Sequence, residues 1–198
     1  ACSGIRIGMG KIVRSSGKFV TAMNHCLDPG PQSWSQLQSL YAAERIVLSD
    51  AARKNVSLAH DFLMEVVESG KTVYGVNTGF GELARVRVGG DQLHQLQENI
   101  LRSHAAGLGE ALPPEVVRWM LLFKICGLIR GHSGVQPQTV DRLVDFYNEG
   151  LIPVVPRQGS LGASGDLAPL SHMCLPLMGE GELMVPDGAG AWNTHPAE

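Results

Sequence analysis

The sequence predicts a mainly α-helical fold with a few short strands. Apolar residues recur at intervals of three and four in several segments, which is the spacing that gives a helix one apolar face. These segments tend to begin at serine, aspartate or proline and to end at glycine, as helix termini favour. The stretches between them are rich in glycine, so we expect the helices to be joined by loops and short extended pieces.

The first elements are expected near residue 34. Residues 1–33 are rich in Gly, Ser and Pro with little periodicity, and residues 26–31 are predicted to form a turn. A short helix is predicted over residues 34–43, followed by a short extended piece over residues 46–48. We therefore expect an N-terminal segment, 1–33, and one domain, 34–198.

Two longer helices are predicted next. Ser49 is a good N-cap for the first of them, and its apolar stripe ends at Gly70. Residues 72–80 hold too many glycines for a helix and are predicted to form a loop. Asp91 is expected to cap the helix after this loop, and Gly107 is expected to end it.

Prolines mark the start of two further helices. Pro113 and Pro114 begin the third of the longer helices, because proline is tolerated in a first helical turn. Its residues 115–130 are apolar on nearly every side, which is typical of a helix buried in a larger assembly. Pro137 begins the fourth of the longer helices, and Gly150 closes it.

The last third of the chain is predicted to contain more extended structure. Residues 151–156 are expected to be extended and to lead into a Gly-rich loop. After the loop, Asp166 is expected to cap a helix with Pro169 in its first turn, and Pro176 is expected to end or kink that helix. Residues 183–192 are predicted to form a hairpin around an Asp-Gly turn.

The composition argues against several classes of protein. With 198 residues, 44% of them hydrophobic, and a net charge of −3, the chain can form one domain with a core, and no basic run predicts nucleic-acid binding. No apolar run is long enough to cross a bilayer, and residues 1–4 do not show the apolar stretch expected of a signal peptide. No cysteine spacing predicts zinc, and Cys126 and Cys174 are expected to be buried free thiols. A cytoplasmic setting without a metal is therefore expected.

Residues 159–166, Gly-Ser-Leu-Gly-Ala-Ser-Gly-Asp, are the most informative segment. If the backbone bends sharply, the amide nitrogen of Gly165 can attack the carbonyl carbon of Ala163. Loss of water then closes a five-membered imidazolone ring, and loss of a second water from Ser164 leaves an exocyclic methylene. Gly165 has no Cβ to obstruct its nitrogen, and Gly162 allows unusual backbone angles. The segment can thus become an electrophile made from the chain alone.

The extended run over residues 159–172, with Gly-Glu-Gly at residues 179–181, closely resembles the signature of the aromatic amino acid ammonia-lyases. In that family the ring is 4-methylideneimidazol-5-one. The resemblance extends from about residue 37 to the C-terminus. Three other segments resemble the family: the active-site loop over 73–81, the substrate-side histidine motif over 102–107 and, more weakly, residues 131–135.

The resemblance implies a role for each matching residue. The ring made from Ala163, Ser164 and Gly165 is the electrophile, Tyr74 is the base, and His104 binds the substrate. No external cofactor and no metal are implied. The implied fold is the N-terminal, ring-bearing domain of a helical-bundle enzyme, which forms a homotetramer with residues of three chains in each active site. Because family members are far longer, we expect this chain to be the N-terminal part of a subunit and to have little activity by itself.

Eliminating ammonia from an amino acid requires a better leaving group and the removal of a weakly acidic β-proton, which an electrophile and a positioned base provide. A tyrosine with the ordinary pKa of about 10 needs positive charge or donors nearby to act as that base. His104 can both donate and accept hydrogen bonds, which suits an imidazole or a phenol. The implied reaction converts L-histidine to urocanate, and a tyrosine ammonia-lyase or an aminomutase is the alternative.

Several of these residues also have an ordinary structural interpretation. Tyr74 could be a loop aromatic that packs on a helix, and His104 could be a helix-end residue. His172 is expected to satisfy a buried polar group, and His132 is expected to have a structural role in its turn. Asp166 is expected to cap its helix, and its assistance in ring formation is a hypothesis.

Other classes of function fit the Gly-rich loop less well. A serine hydrolase would need Gly-x-Ser-x-Gly, but Asp166 stands in place of the last glycine. A phosphate-binding loop would continue with Gly-Lys-Ser or Gly-Lys-Thr, and an aspartate would repel phosphate. A catalytically inactive structural or interaction fragment remains the alternative from a different class. Intact mass distinguishes it, because a ring-bearing chain is two waters lighter than its sequence.

Overall fold

The computed structural model describes residues 24–78, 92–162 and 165–198, and in these ranges the chain is mainly α-helical with short strands, as predicted. The helices are α1 (Trp34–Ala42), α2 (Asp50–Glu68), α3 (Leu93–His104), α4 (Pro114–Leu128), α5 (Pro137–Glu149) and α6 (Leu167–Cys174), with a 3-10 helix after α6 (Leu175–Met178). The strands are β1 (Asn24–Leu27), β2 (Arg45–Leu48), β3 (Leu108–Ala111), β4 (Ile152–Pro153), β5 (Pro156–Gln158), β6 (Glu182–Pro186) and β7 (Trp192–Pro196).

The strands of the described ranges form three small sheets. β1 pairs in parallel with β2, β3 pairs antiparallel with β5, and β4, β6 and β7 form an antiparallel sheet in that order. The β6–β7 pair confirms the predicted hairpin. The turn predicted over residues 26–31 is partly wrong, because Cys26 and Leu27 lie in β1. Their backbone pairs with Val47 and Leu48, a partner distant in sequence.

The buried hydrophobic residues of the described ranges form one core cluster, to which α4 and α5 contribute most. Leu121, Leu122 and Ile125 of α4 are fully buried, and α4 packs against α5 and β4. The burial of α4 agrees with its nearly continuous apolar sequence. Phe123 on the same helix nevertheless remains 48% exposed, so one side of α4 faces away from this core.

Most of the predicted helix termini are confirmed. The Ser49 hydroxyl accepts a hydrogen bond from the amide of Ala52 and caps α2. Gly150 closes α5 in the left-handed conformation, with φ of 68°. α6 ends at Cys174, and Pro176 lies in the 3-10 helix that follows, as expected of a proline that interrupts a helix. The predicted cap at Asp91 lies outside the described residues.

The predicted capping role of Asp166 is wrong. Asp166 occupies the N-cap position of α6, but its carboxylate makes no capping hydrogen bond. Its backbone is left-handed, with φ of 55° and ψ of 42°, whereas the capping residue Ser49 is extended, with φ of −67° and ψ of 161°. In this conformation the carboxylate accepts a hydrogen bond from the Ser160 hydroxyl instead.

Two further expectations concern the cysteines and the absence of a membrane-spanning helix. Cys126 and Cys174 are free, as expected, but they are half-buried rather than fully buried. Burial raises the pKa of both thiols, which keeps them protonated and weakly reactive. Among the residues described, no helix is both long and apolar enough to cross a membrane.

Candidate functional site

The loop that carries Tyr74 is held in shape by a buried asparagine. Tyr74 begins a turn over residues 74–76. The side-chain oxygen of Asn77 accepts a hydrogen bond from the amide of Val73 at 2.8 Å, and its nitrogen donates to the carbonyl of Lys71 at 2.9 Å. Asn77 is only 2% exposed, so it organises the loop from its interior side.

Helix α3 fastens the same loop from outside. The side-chain amide of Gln97 donates to the carbonyl oxygens of Gly75 and Val76, at 3.1 and 2.7 Å. The hydroxyl of Thr78, which is fully buried, accepts from the amide of Gly75 at 3.2 Å. Tyr74 itself is 63% exposed, so its ring is not a core residue of the described chain. A fixed backbone therefore presents this phenol at the surface.

His104 is the last residue of α3. Its Nδ1 lies 2.7 Å from the carbonyl oxygen of Ile100 and 3.1 Å from the hydroxyl of Ser103. Because a carbonyl only accepts, the first contact requires a proton on Nδ1, which leaves the lone pair of the neutral ring on Nε2. The predicted helix-end position is thus confirmed. It fixes the orientation of the imidazole, which a substrate-binding role also requires.

α3 connects the two halves of the predicted site. Gln97, which holds the Tyr74 loop, precedes His104 by seven residues, which is two helical turns or about 10 Å. After α3, strand β3 pairs with β5, with Leu108 opposite Gln158. The chain that follows His104 therefore runs beside the strand that leads into the Gly-rich loop.

The flanks of the Gly-rich loop are described, whereas Ala163 and Ser164 lie outside the described residues. Gly165 is exposed, has φ of 79°, and has open space where a Cβ would stand. Asp166 follows with φ of 55°, and it is the one non-glycine residue with positive φ in the described ranges. Such a conformation costs about 1–3 kcal/mol and is common at functional sites. The hydrogen bond from Ser160 to Asp166 spans the loop and offsets part of that cost.

These flanks fit the ring that the family forms. Ring closure needs a sharp reversal of the backbone at residues 163–165, and two successive left-handed residues, Gly165 and Asp166, provide a reversal next to it. Closure also needs room at the last residue of the three, and Gly165 has that room. Among the residues described, no cluster of three or more His, Cys, Asp and Glu side chains could hold a metal ion.

His172 behaves as expected of a structural residue, whereas the structural role of His132 stays a prediction. His172 on α6 accepts a hydrogen bond from the backbone amide of Gly107 through Nε2, at 3.0 Å. This confirms that it satisfies a polar group, and burial lowers the pKa of its imidazole. His132 is exposed in the turn between α4 and α5.

An ion pair that the sequence analysis did not find ties α3 to the end of the 3-10 helix. The Arg102 guanidinium donates to both carboxylate oxygens of Glu180, at 2.6 to 3.2 Å, and to Glu98 at 3.1 Å. These hydrogen bonds lower the pKa of Glu180 and raise that of Arg102. Arg102 and Glu180 both lie in segments that resemble the motifs of the family. They are 78 positions apart, so no periodic pattern in the sequence predicts their contact.

The solved structures of three enzymes are similar to this chain over 85 to 88% of its length and a third of theirs. The histidine ammonia-lyase of Trypanosoma cruzi has a TM-score of 0.73 and 34% identity. The ergothioneine-degrading enzyme of Treponema denticola has a TM-score of 0.77 and 29% identity, and the tyrosine aminomutase of Streptomyces globisporus 0.76 and 28%.

Curated relatives are more similar in sequence. The histidine ammonia-lyase of Geobacillus thermodenitrificans is 50% identical over 145 residues, and that of Symbiobacterium thermophilum is 51% identical over 141. These alignments cover 73% and 71% of this chain but only 29% and 28% of the relatives. The chain thus matches less than a third of their length. The family model for aromatic amino acid lyases matches residues 33–194, and this chain therefore belongs to the aromatic amino acid lyase family.

Proposed function

We propose that this chain is the ring-bearing, N-terminal part of a histidine ammonia-lyase, which converts L-histidine to urocanate and ammonia. One observation carries the proposal: α3 holds the Tyr74 loop through Gln97 and ends at His104, beside the strand that leads to Gly165. The same segments lie in a chain that is half identical to curated histidine ammonia-lyases.

Each residue of the proposed site has one task. Ala163, Ser164 and Gly165 supply the atoms of a methylidene-imidazolone ring, whose chemistry is to accept an amine and make ammonia a better leaving group. Tyr74 takes the β-proton of the substrate. His104 binds the substrate side chain, and an imidazole that donates and accepts suits a histidine substrate.

The remaining length of the enzyme completes this site. Tyr74 is 63% exposed, and Trp34, Phe62 and Phe123 are also largely exposed. Trp34 and Phe123 both stack on Trp119, and contiguous exposed apolar patches mark contact surfaces. This exposure supports coverage by other chain segments, which also surround the substrate. The family resemblance, rather than the exposure, is the basis on which we propose a cytoplasmic homotetramer. Neither nucleic acid nor membrane is a proposed partner.

Intact mass tests ring formation. The chain is expected to be two waters lighter than its sequence. The variant Ser164→Ala is expected to be at most one water lighter than its own sequence, because the second water comes from the Ser164 hydroxyl. Ser133→Ala is the matched control, since Ser133 is an exposed serine in a different Gly-rich segment, and it should keep the deficit.

Turnover is measured in a complete subunit, made with the native continuation of the chain or with the remaining length of a matched relative. L-histidine is expected to give urocanate, and Ser164→Ala should lower the rate by at least about 10³-fold. Coumarate from L-tyrosine, or a β-amino acid, would point to the tyrosine lyase or aminomutase alternative. A folded, active enzyme of unmodified mass would refute the ring mechanism.

A further inference from the structure

We propose that His172 is a positioning residue, which fixes the segment after His104 relative to the loop that carries Gly165. The proposal rests on the proposed function above, because it assigns His104 to the substrate and the loop to the electrophile. It adds a residue of α6 that belongs to neither group but holds both in register.

The hydrogen bond between His172 and Gly107 is the first step of the argument. The amide of Gly107 donates to Nε2 of His172 at 3.0 Å, so Nε2 carries the lone pair and the proton of the neutral imidazole is on Nδ1. Burial lowers the pKa of His172, which keeps the ring neutral, and therefore able to accept, near pH 7. The contact joins positions 65 residues apart.

The packing around Gly107 is the second step. A Cβ at Gly107 would lie 3.0 Å from Nε2 of His172 and 3.1 Å from Cβ of Pro156. A Cβ at Gly159 would lie only 3.1 Å from Cα of Gly107 and 3.3 Å from Cβ of Ala168. The residues of β5 before the loop and those of α6 after it thus pack around the backbone of Gly107. The positions of both flanks of the Gly-rich loop therefore depend on Gly107.

The short connection back to His104 is the third step. The amide of Ala105 donates to the carbonyl of Leu101, and the amide of Ala106 donates to the carbonyl of His104 at 2.8 Å. The chain between His104 and Gly107 therefore has little slack. A displacement of Gly107 moves His104 relative to the loop, and a shift of about 1 Å in such a site can lower turnover about 100-fold.

Replacements of His172 in the complete subunit test this role. His172→Leu removes the acceptor and should lower kcat/KM about 10- to 100-fold, while the two-water mass deficit remains. His172→Gln places an amide oxygen near the position of Nε2 and is expected to recover most of the loss. His195→Leu and His195→Gln are the matched controls, because His195 is an exposed histidine on β7, and both should behave as the unaltered enzyme.

Two outcomes would overturn the proposal. One is a folded His172→Leu enzyme with a complete ring and unchanged kcat/KM. The other is equal impairment of the Leu and Gln variants, because a positioning hydrogen bond must be restored by another acceptor. If His172→Leu does not fold, Gly107→Ala decides instead: it keeps the acceptor but crowds the contact, and unchanged turnover in that variant would contradict the proposal.

Amide exchange in the 198-residue chain separates this proposal from the proposed function. The Gly107 amide should exchange faster in His172→Leu than in the unaltered chain, and His172→Gln should restore its protection. Unchanged exchange in His172→Leu refutes the hydrogen bond whatever the substrate is. An unaltered complete subunit that releases no ammonia from histidine refutes the function, whereas a normal His172→Leu enzyme refutes only the positioning role.

Discussion

Two positions in the turn between α4 and α5 require glycine for two reasons: the backbone conformation is left-handed, and there is no room for a Cβ. Gly131 and Gly134 have φ of 75° and 64°, where a side chain is strained. A Cβ at Gly131 would lie 2.7 Å from the backbone oxygen of Asn55, and one at Gly134 would lie 2.5 Å from a methyl carbon of Leu63. The turn thus lies directly against α2. The weakly matching Gly-His-Ser-Gly segment therefore has a packing explanation that is independent of catalysis.

Two glycine replacements separate the cost of backbone strain from the cost of a steric clash at the new Cβ. Gly188 has φ of 80° but open space around it, so Gly188→Ala should cost about 1 kcal/mol of unfolding free energy. Gly131→Ala adds a clash with a backbone oxygen and should cost about 2–4 kcal/mol. Urea unfolding followed by circular dichroism measures both values. Equal losses for the two variants would show that α2 does not constrain the turn.

Local sequence patterns were sufficient to predict the helices, but not the strand β1 or the backbone conformation of Asp166. Ser49, Pro114 and Gly150 act at helix ends as their residue types predict, because caps and turns depend on a few neighbouring residues. β1 was not predicted, since it exists through pairing with β2 and its four residues carry no clear alternation. Asp166 was misinterpreted as a cap because its left-handed φ belongs to the loop before it.

The start of α1 provides a prediction at the scale of one element. Ser33 and Gln36 form a capping box, in which the Ser33 hydroxyl accepts from the amide of Gln36 and the Gln36 side chain accepts from the amide of Ser33. Ser33→Ala should therefore lower the unfolding free energy by about 1 kcal/mol.

Gln38→Ala is the control, since Gln38 is exposed in the same helix, and it should be nearly neutral. Urea midpoints at constant slope measure the two effects. A loss at Gln38 as large as at Ser33 would mean that the capping box does not stabilise α1.

At the scale of the whole molecule, the sequence predicts the motifs of the candidate site but not the long-range contacts that arrange them. Tyr74, His104 and Gly165 are predicted as site residues from short runs of sequence that resemble the motifs of the family. The contact from His172 to Gly107 spans 65 residues and the ion pair from Arg102 to Glu180 spans 78. No periodicity encodes such pairings, so only the folded chain reveals that α6 and the 3-10 helix hold α3 in place.

The pH dependence of folding should report the contact of His172. Because burial lowers its pKa below the ordinary 6.5, the unfolded chain binds a proton at this residue more readily than the folded chain. Its contribution to stability is therefore complete above pH 6.5 and is lost as the pH falls below that value toward the lowered pKa of the folded state. Glu180, whose pKa is lowered from 4.5 by Arg102, loses its contribution only at more acidic pH.

Urea unfolding between about pH 7 and pH 5.5 measures this difference, because the ordinary histidine pKa lies inside that interval. The stability of the unaltered chain should fall across the interval, and that of His172→Gln should fall less, since glutamine does not titrate. The difference in unfolding free energy between the unaltered chain and His172→Gln should therefore narrow as the pH falls. His195→Gln, which is altered at an exposed position, should follow the unaltered chain. Parallel curves for the unaltered chain and His172→Gln would show that the fold does not favour the neutral over the protonated imidazole of His172.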